Sequence, residues 1–91
     1  MFEYDPNKSQ GNKLKHGVDF VEAQALWEDR DAIVVSTSHT SEPRKALIAR
    51  LKGKVWIAIF TMRGRKIRII SVRRARTNEE RHYHESQENL S

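Results

Sequence analysis

Two kinds of side chain in this sequence are suited to chemistry. The first are guanidinium groups, which crowd the stretch Lys66–Arg76 as Arg68, Arg73, Arg74 and Arg76. Each is a planar fork that can meet phosphate or carboxylate through two parallel hydrogen bonds. The same stretch holds Ile67, Ile69, Ile70 and Val72, β-branched residues that favour a pleated, covered surface. A core strand so rich in cations points to an anionic partner, either nucleic acid or an acidic protein, unless the charge is only a solvated surface. The second kind are proton carriers: His16, Glu79 and Tyr83 stand on the helical segments that flank this strand.

The elements that must position these groups follow from the chain's patterning. Phe2-Glu3-Tyr4 forms a short extended segment. Asp5-Pro6 then opens a helix, Asp as N-cap and Pro at the first helical position. It runs to about His16, with Gly17 beyond its end and Lys13, Lys15 and His16 facing the negative pole of the dipole. Leu14 is its one large apolar residue after Asn7. It is therefore either a loosely held surface helix or a working face that carries Lys8, Lys15 and His16. Asp19 and Glu22 have the spacing of a capping box. They open a second helix, to about Trp27, whose stripe of Phe20, Ala23, Leu26 and Trp27 belongs in the core.

Strands follow over residues 32–37, Lys45–Leu51, Val55–Thr61 and the arginine-rich stretch itself. A polar loop with His39 separates the first two. The turns Lys52–Lys54 and Arg63–Arg65 join the rest. Connections this short imply an antiparallel, four-stranded meander. Strand periodicity puts Arg68 and Arg74 on one face of it and Arg73 on the other, unless a bulge intervenes. Thr77 caps a last helix, with Glu79 and Glu80 in its first turn. Glu79 and Tyr83, four apart, share one of its faces, and it frays after about Glu85. The expected fold class is a small single α+β domain over residues 1–91. It has two N-terminal helices, a four-stranded antiparallel sheet and a C-terminal helix, with 86–91 a frayed tail.

Composition narrows the chemistry. The chain has 91 residues and a net charge of +5. Residues 63–91 hold eight Lys/Arg against four Asp/Glu, whereas 1–62 are nearly balanced at nine against eight. No cysteine is present, so disulfide, thiolate and Cys-zinc chemistry are excluded. No Gly-rich nucleotide fingerprint, P-loop or His-Glu-x-x-His occurs. His82 and His84 lie two apart on a helix, and His16 and His39 have no nearby ligand pair, so neither a metal nor a cofactor is expected. Ser36, Ser38 and Ser41 near His39 lack the setting of a nucleophile elbow. With no apolar run of membrane-spanning length and no signal-peptide pattern, a soluble cytoplasmic protein is the default.

Several motifs together resemble one family. Phe2-Glu3-Tyr4-Asp5, Lys8, Asn12 and Lys15-His16-Gly17-Val18 with Phe20, Glu22 and Ala23 look like the N-terminal signature of the BrnT toxins of type II toxin–antitoxin systems. Glu42-Pro43-Arg44 is similar to an element of one branch of that family. The run from Ile67 to Ala75, with Glu79, Arg81 and Tyr83, resembles its C-terminal signature. The resemblance covers residues 2–85 in order. The turn Arg63-Gly64-Arg65-Lys66 is more basic than in relatives.

The resemblance implies a RelE-like ribonuclease that inhibits translation. The implied partners are an RNA substrate and a cognate ribbon-helix-helix antitoxin of the BrnA kind. Together with the toxin, that antitoxin forms a heterotetramer that represses its own operon, touching DNA only through the antitoxin. A metal-independent ribonuclease activates the ribose 2′-hydroxyl toward the adjacent phosphate and needs a base, an acid and cations. On this reading Arg68, with Arg73 or Arg74, holds the phosphate, and the acid/base candidates are His16, Glu79 and Tyr83. The expected catalytic set is Arg68, Arg73, His16, Glu79 and Tyr83. Lys15, Arg44, Arg63, Arg65, Arg74 and Arg76 are expected along the RNA. The competing reading is a non-catalytic basic module that docks an acidic partner or nucleic acid.

Overall fold

The computed structural model describes residues 1–37 and 43–89. The loop positions Ser38, His39, Ser41 and Glu42 lie outside the described residues. The first helix, α1 (Pro6–His16), forms with the caps its sequence dictates. Asp5 Oδ1 accepts from the Asn7 N–H at 2.8 Å. Gly17, at φ +86°, closes the other end in a left-handed conformation open to glycine. Leu14 is 83% exposed, so this helix is not held by an apolar stripe. Two buried polar side chains hold it instead. Ser9 Oγ accepts from the Phe20 N–H at 2.9 Å. Asn12 donates from Nδ2 to the Val18 carbonyl at 2.8 Å and accepts at Oδ1 from the Val72 N–H at 3.1 Å.

The capping box forms reciprocally. Glu22 N–H donates to Asp19 Oδ1 at 2.7 Å, and Asp19 N–H donates to Glu22 Oε1 at 3.0 Å. The expected second α-helix is, however, a 3-10 helix over Glu22–Glu28. Phe20, Ala23 and Leu26 are all fully buried. Ala23 and Leu26, three apart, are aligned by the 3.0-residue turn, and both join Phe20 in the core against the sheet.

The sheet has five strands: β1 (Phe2–Glu3), β2 (Ile33–Ser36), β3 (Lys45–Leu51), β4 (Lys54–Arg63) and β5 (Lys66–Arg74). Their order is β1-β5-β4-β3-β2. Strands β2 to β5 form the expected antiparallel meander. The fully antiparallel, four-stranded expectation is nevertheless corrected to a mixed, five-stranded sheet. The extended N-terminal segment lies parallel on the free edge of β5, Phe2 beside Ile67 and Glu3 beside Arg68. The Ile67 N–H donates to the Met1 carbonyl at 2.7 Å, so this edge finds acceptors in β1 and, further along, in Asn12.

Strand β5 contains a bulge. Ile59 pairs with Ser71 and Phe60 with Ile69, which leaves Ile70 as the extra residue. The alternation of faces therefore shifts by one. Ile69 and Val72 both enter the core beneath α1 and the 3-10 helix, with Phe20, Leu26, Leu47, Ala58 and Phe60. Arg68, Ser71 and Arg73 pair with Thr61, Ile59 and Ile57 and share the opposite face. That face carries a second, smaller core of Ala46, Ile48, Val55, Ile57 and Tyr83. Tyr83 comes from α2 (Thr77–Asn89). This helix passes the expected fraying point at Glu85, and Gln87 Nε2 donates to Asp31 Oδ2 at 3.2 Å. No helix among the described residues is long and apolar enough to cross a membrane.

Candidate active site on the open sheet face

Helix α2 covers only part of the second face. Toward the β4–β5 turn the face stays half-open, with Ile59, Ser71 and Arg68 partly exposed. Register places Thr61, Arg68 and Glu3 side by side across it. Arg44 stands one residue ahead of β3, where the Thr61 hydroxyl donates to the neighbouring Pro43 carbonyl at 2.8 Å. Arg73 lies on this face where α2 begins. Arg68 and Arg73 thus share a surface, whereas simple alternation would separate them.

Both guanidiniums are oriented by carboxylates. Arg68 Nη1 donates to Glu3 Oε2 at 3.0 Å. Arg73 meets Glu79 through two bonds of 2.9 Å, Nη1 to Oε1 and Nη2 to Oε2. Glu79 Oε1 also accepts the Arg76 N–H at 2.7 Å, which caps the start of α2. The Arg73 hydrogen bonds hold the Glu79 carboxyl below the usual carboxylate range against a smaller opposing effect of burial, and the Arg76 N–H adds to them. The same pairing raises the Arg73 guanidinium above its ordinary value.

Glu79 and Tyr83 lie on one helix but do not present together. Tyr83 is fully buried, and its hydroxyl donates to Asp29 Oδ2 at 2.7 Å. Burial first, then the Asp29 carboxylate, push its phenol up to about 12. Burial alone would raise the Asp29 carboxyl. Bonds from the Tyr83 hydroxyl and the Arg50 and Asp31 N–H groups outweigh it and hold Asp29 below its ordinary value. The Arg50 guanidinium rests 5.7 Å from the Tyr83 ring centroid.

His16 stands apart from these pairs, at the end of α1. It follows Asn12 by four residues, one helical turn, so the two lie on the same stripe of α1. The bond from Val72 N–H to Asn12 therefore sets the last turn of α1, with Lys15 and His16, beside the Val72–Arg74 end of β5. His16 is half-buried and Lys15 exposed, and neither makes a hydrogen bond or ion pair among the described residues. Arg74 turns to the opposite face. Its guanidinium lies 5.6 Å from the Trp56 ring centroid, and Nε donates to the Val55 carbonyl at 3.4 Å. Arg63 and Arg65 flank the β4–β5 turn, and Arg76 precedes α2, all exposed.

The residues expected to act together thus fall into two groups. Arg44, Arg68, Arg73 and Glu79 belong to the open face, with Tyr83 buried under α2. His16, Lys15 and Arg74 gather at the end of β5. Sequence reasoning assigned no role to Glu3, Asn12, Asp29 or Trp56. A buried amide such as Asn12 leaves no periodic signal, and the partners of Glu3 and Asp29 lie 65 and 54 residues away in the chain. Among the described residues no cluster of His, Asp or Glu side chains is placed to hold a metal ion.

Fold and surface together define a small, basic α+β domain with a half-open, arginine-lined sheet face. Residues 4–79 match the family of ribonuclease toxins, BrnT, of type II toxin–antitoxin systems, and the chain belongs to that family. Membership implies an RNA substrate and an antitoxin partner. No curated protein matches the chain.

Proposed function

We propose that this toxin is an endoribonuclease that works without a metal ion and inhibits translation by cutting RNA. The observation that supports this mechanism most is the bulge at Ile70, which sets Arg68 and Arg73 on one face. Arg68 spends one of its five N–H donors on Glu3, so others are left for a phosphoryl oxygen. Arg73, fixed by Glu79 and the Arg74 carbonyl, offers its two remaining donors further along the same face. Together they balance the charge that grows on the phosphate as the 2′-oxygen attacks. His16 exchanges the proton.

Glu79 stays ionised near neutrality and acts by orienting Arg73. Tyr83 anchors α2, its proton committed to Asp29. Lys15, Arg44, Arg63, Arg65, Arg74 and Arg76 bind the RNA backbone. A cognate ribbon-helix-helix antitoxin of the BrnA kind neutralises the toxin in a heterotetramer. That complex represses its own operon and contacts DNA through the antitoxin.

The test is incubation of the folded protein with single-stranded RNA in excess EDTA. Wild type cuts, and Arg68→Ala cuts at least about a hundredfold more slowly, as for loss of one group that stabilises transition-state charge. Intact RNA with wild type rejects the ribonuclease reading in favour of a binding module. Equal cutting by Arg68→Ala rejects the site.

A further inference from the structure

On the sheet face opposite Arg68 and Arg73, a cavity of about 250 Å³ opens between the end of α1 and the β3–β4 turn. Gly17, Glu22, Leu51, Lys52, Lys54 and Trp56 line it. Trp56 supplies a half-exposed indole ring already in contact with the Arg74 guanidinium. Its Nε1–H is buried and has no acceptor, so the free protein leaves a donor unmatched.

The Lys52 and Lys54 ammonium groups are exposed and make no hydrogen bond among the described residues. The Lys13 hydrogen bond, helped by the Lys52 charge, holds the Glu22 carboxyl below its usual range. Lys52 is the one described residue other than glycine with positive φ, at +52°. With Gly53 at +78° it forms the two-residue turn in which Asn-Gly is the favoured pair. A lysine therefore stands on this rim at a backbone position that suits asparagine better. Glu22 Oε1 accepts from Lys13 Nζ at 2.7 Å and from the Asp19 N–H at 3.0 Å, while Oε2 makes no bond in the described structure.

We infer that this cavity is an RNA subsite that takes one unstacked nucleobase, with its phosphate on Lys52 and Lys54. This rests on the ribonuclease reading and extends it to substrate selection. The volume is below that of sites for drug-sized ligands and suits a single ring system. An indole backed by a guanidinium is a stacking platform that any base can use. Glu22 Oε2 accepts from a base N–H, and it opposes a bare anion or an acidic peptide, so a nucleobase fits where either of those does not. The subsite adjoins the end of α1 that carries His16. Lying opposite Arg68 and Arg73, it holds a nucleotide away from the cut and contributes to the choice of sequence.

The test is equilibrium binding of the four nucleoside 5′-monophosphates, ribose 5-phosphate and inorganic phosphate to the full chain at one fixed salt concentration. At least one nucleotide is expected to bind about tenfold tighter than ribose 5-phosphate, the difference being the base. Lys54→Ala and Lys52→Asn each weaken that nucleotide several-fold. Lys52→Asn relieves the turn and does not lower the melting temperature, so its loss of binding is not loss of fold. Nucleotides that bind no better than ribose 5-phosphate overturn the inference, as does wild-type binding by both lysine variants. If wild type cuts RNA and no nucleotide binds better than ribose 5-phosphate, the subsite falls and the ribonuclease reading stands. Base-dependent binding by a protein that leaves RNA intact supports the cavity and removes the ribonuclease reading.

Discussion

At the scale of single residues, the ionisable groups near the sheet act in pairs, and each pair sets a pH limit. Glu79 has a folded pKa below its unfolded value of about 4.3. Its contribution to stability is present above that pH and is lost as the pH falls through the folded value. Glu79→Gln is expected to cost about 1–3 kcal/mol at neutral pH and to flatten the acid limb of a stability–pH curve from chemical denaturation. Tyr83 has the opposite sign. Its folded pKa of about 12 lies above the unfolded value of about 10, so its contribution is complete below pH ~10 and fades as the pH climbs through the folded value. Tyr83→Phe should cost about 1.5–3 kcal/mol at neutral pH, as for a hydrogen bond to a charged group, and should remove the alkaline limb in the same measurement. An unchanged alkaline limb would show that the bond to Asp29 does not couple to folding.

At the scale of elements, α1 and β5 show which features the sequence disclosed. The caps of α1 were legible because Asp5-Pro6 and Gly17 are local signals, and Asp19/Glu22 likewise. The bulge was legible in part. Its trace is the spacing of Ile67, Ile69 and Val72, which breaks a period of two, but Ile70 beside Ile69 obscures which residue is the extra one. The way α1 docks was not legible, because Ser9 and Asn12 read as surface residues on a polar helix. Only the fold supplies Phe20, Val18 and Val72 as their partners. Nor was β1, since two residues carry no periodicity and their pairing depends on the free edge of β5. Asn12→Ala leaves a buried N–H and a buried carbonyl without partners and should cost about 1–3 kcal/mol. Because Asn12 holds the turn that carries His16, RNA cleavage at a temperature where the variant is fully folded should also fall. Full cleavage by folded Asn12→Ala would separate the end of α1 from the chemistry.

At the scale of the whole molecule, the sheet divides the work. One face buries most of the apolar core against α1 and the 3-10 helix. The other is covered by α2 at one end, where Arg73 pairs with Glu79, and half-open at the other, where Arg68 lies. The α+β class was legible from local composition. Which arginines share a face was not, because it turns on one extra residue in β5. In the proposed chemistry the 2′-oxygen forms the new bond to phosphorus and the 5′-oxygen leaves with a proton. The products are therefore a 2′,3′-cyclic phosphate and a 5′-hydroxyl, with no metal required. Mass spectrometry of RNA fragments made by wild type in excess EDTA reads those ends directly. Cyclic phosphates, absent when the substrate carries 2′-O-methyl groups, are the expected result; fragments ending in a 3′-hydroxyl and a 5′-phosphate, or cutting of the methylated RNA, would contradict it.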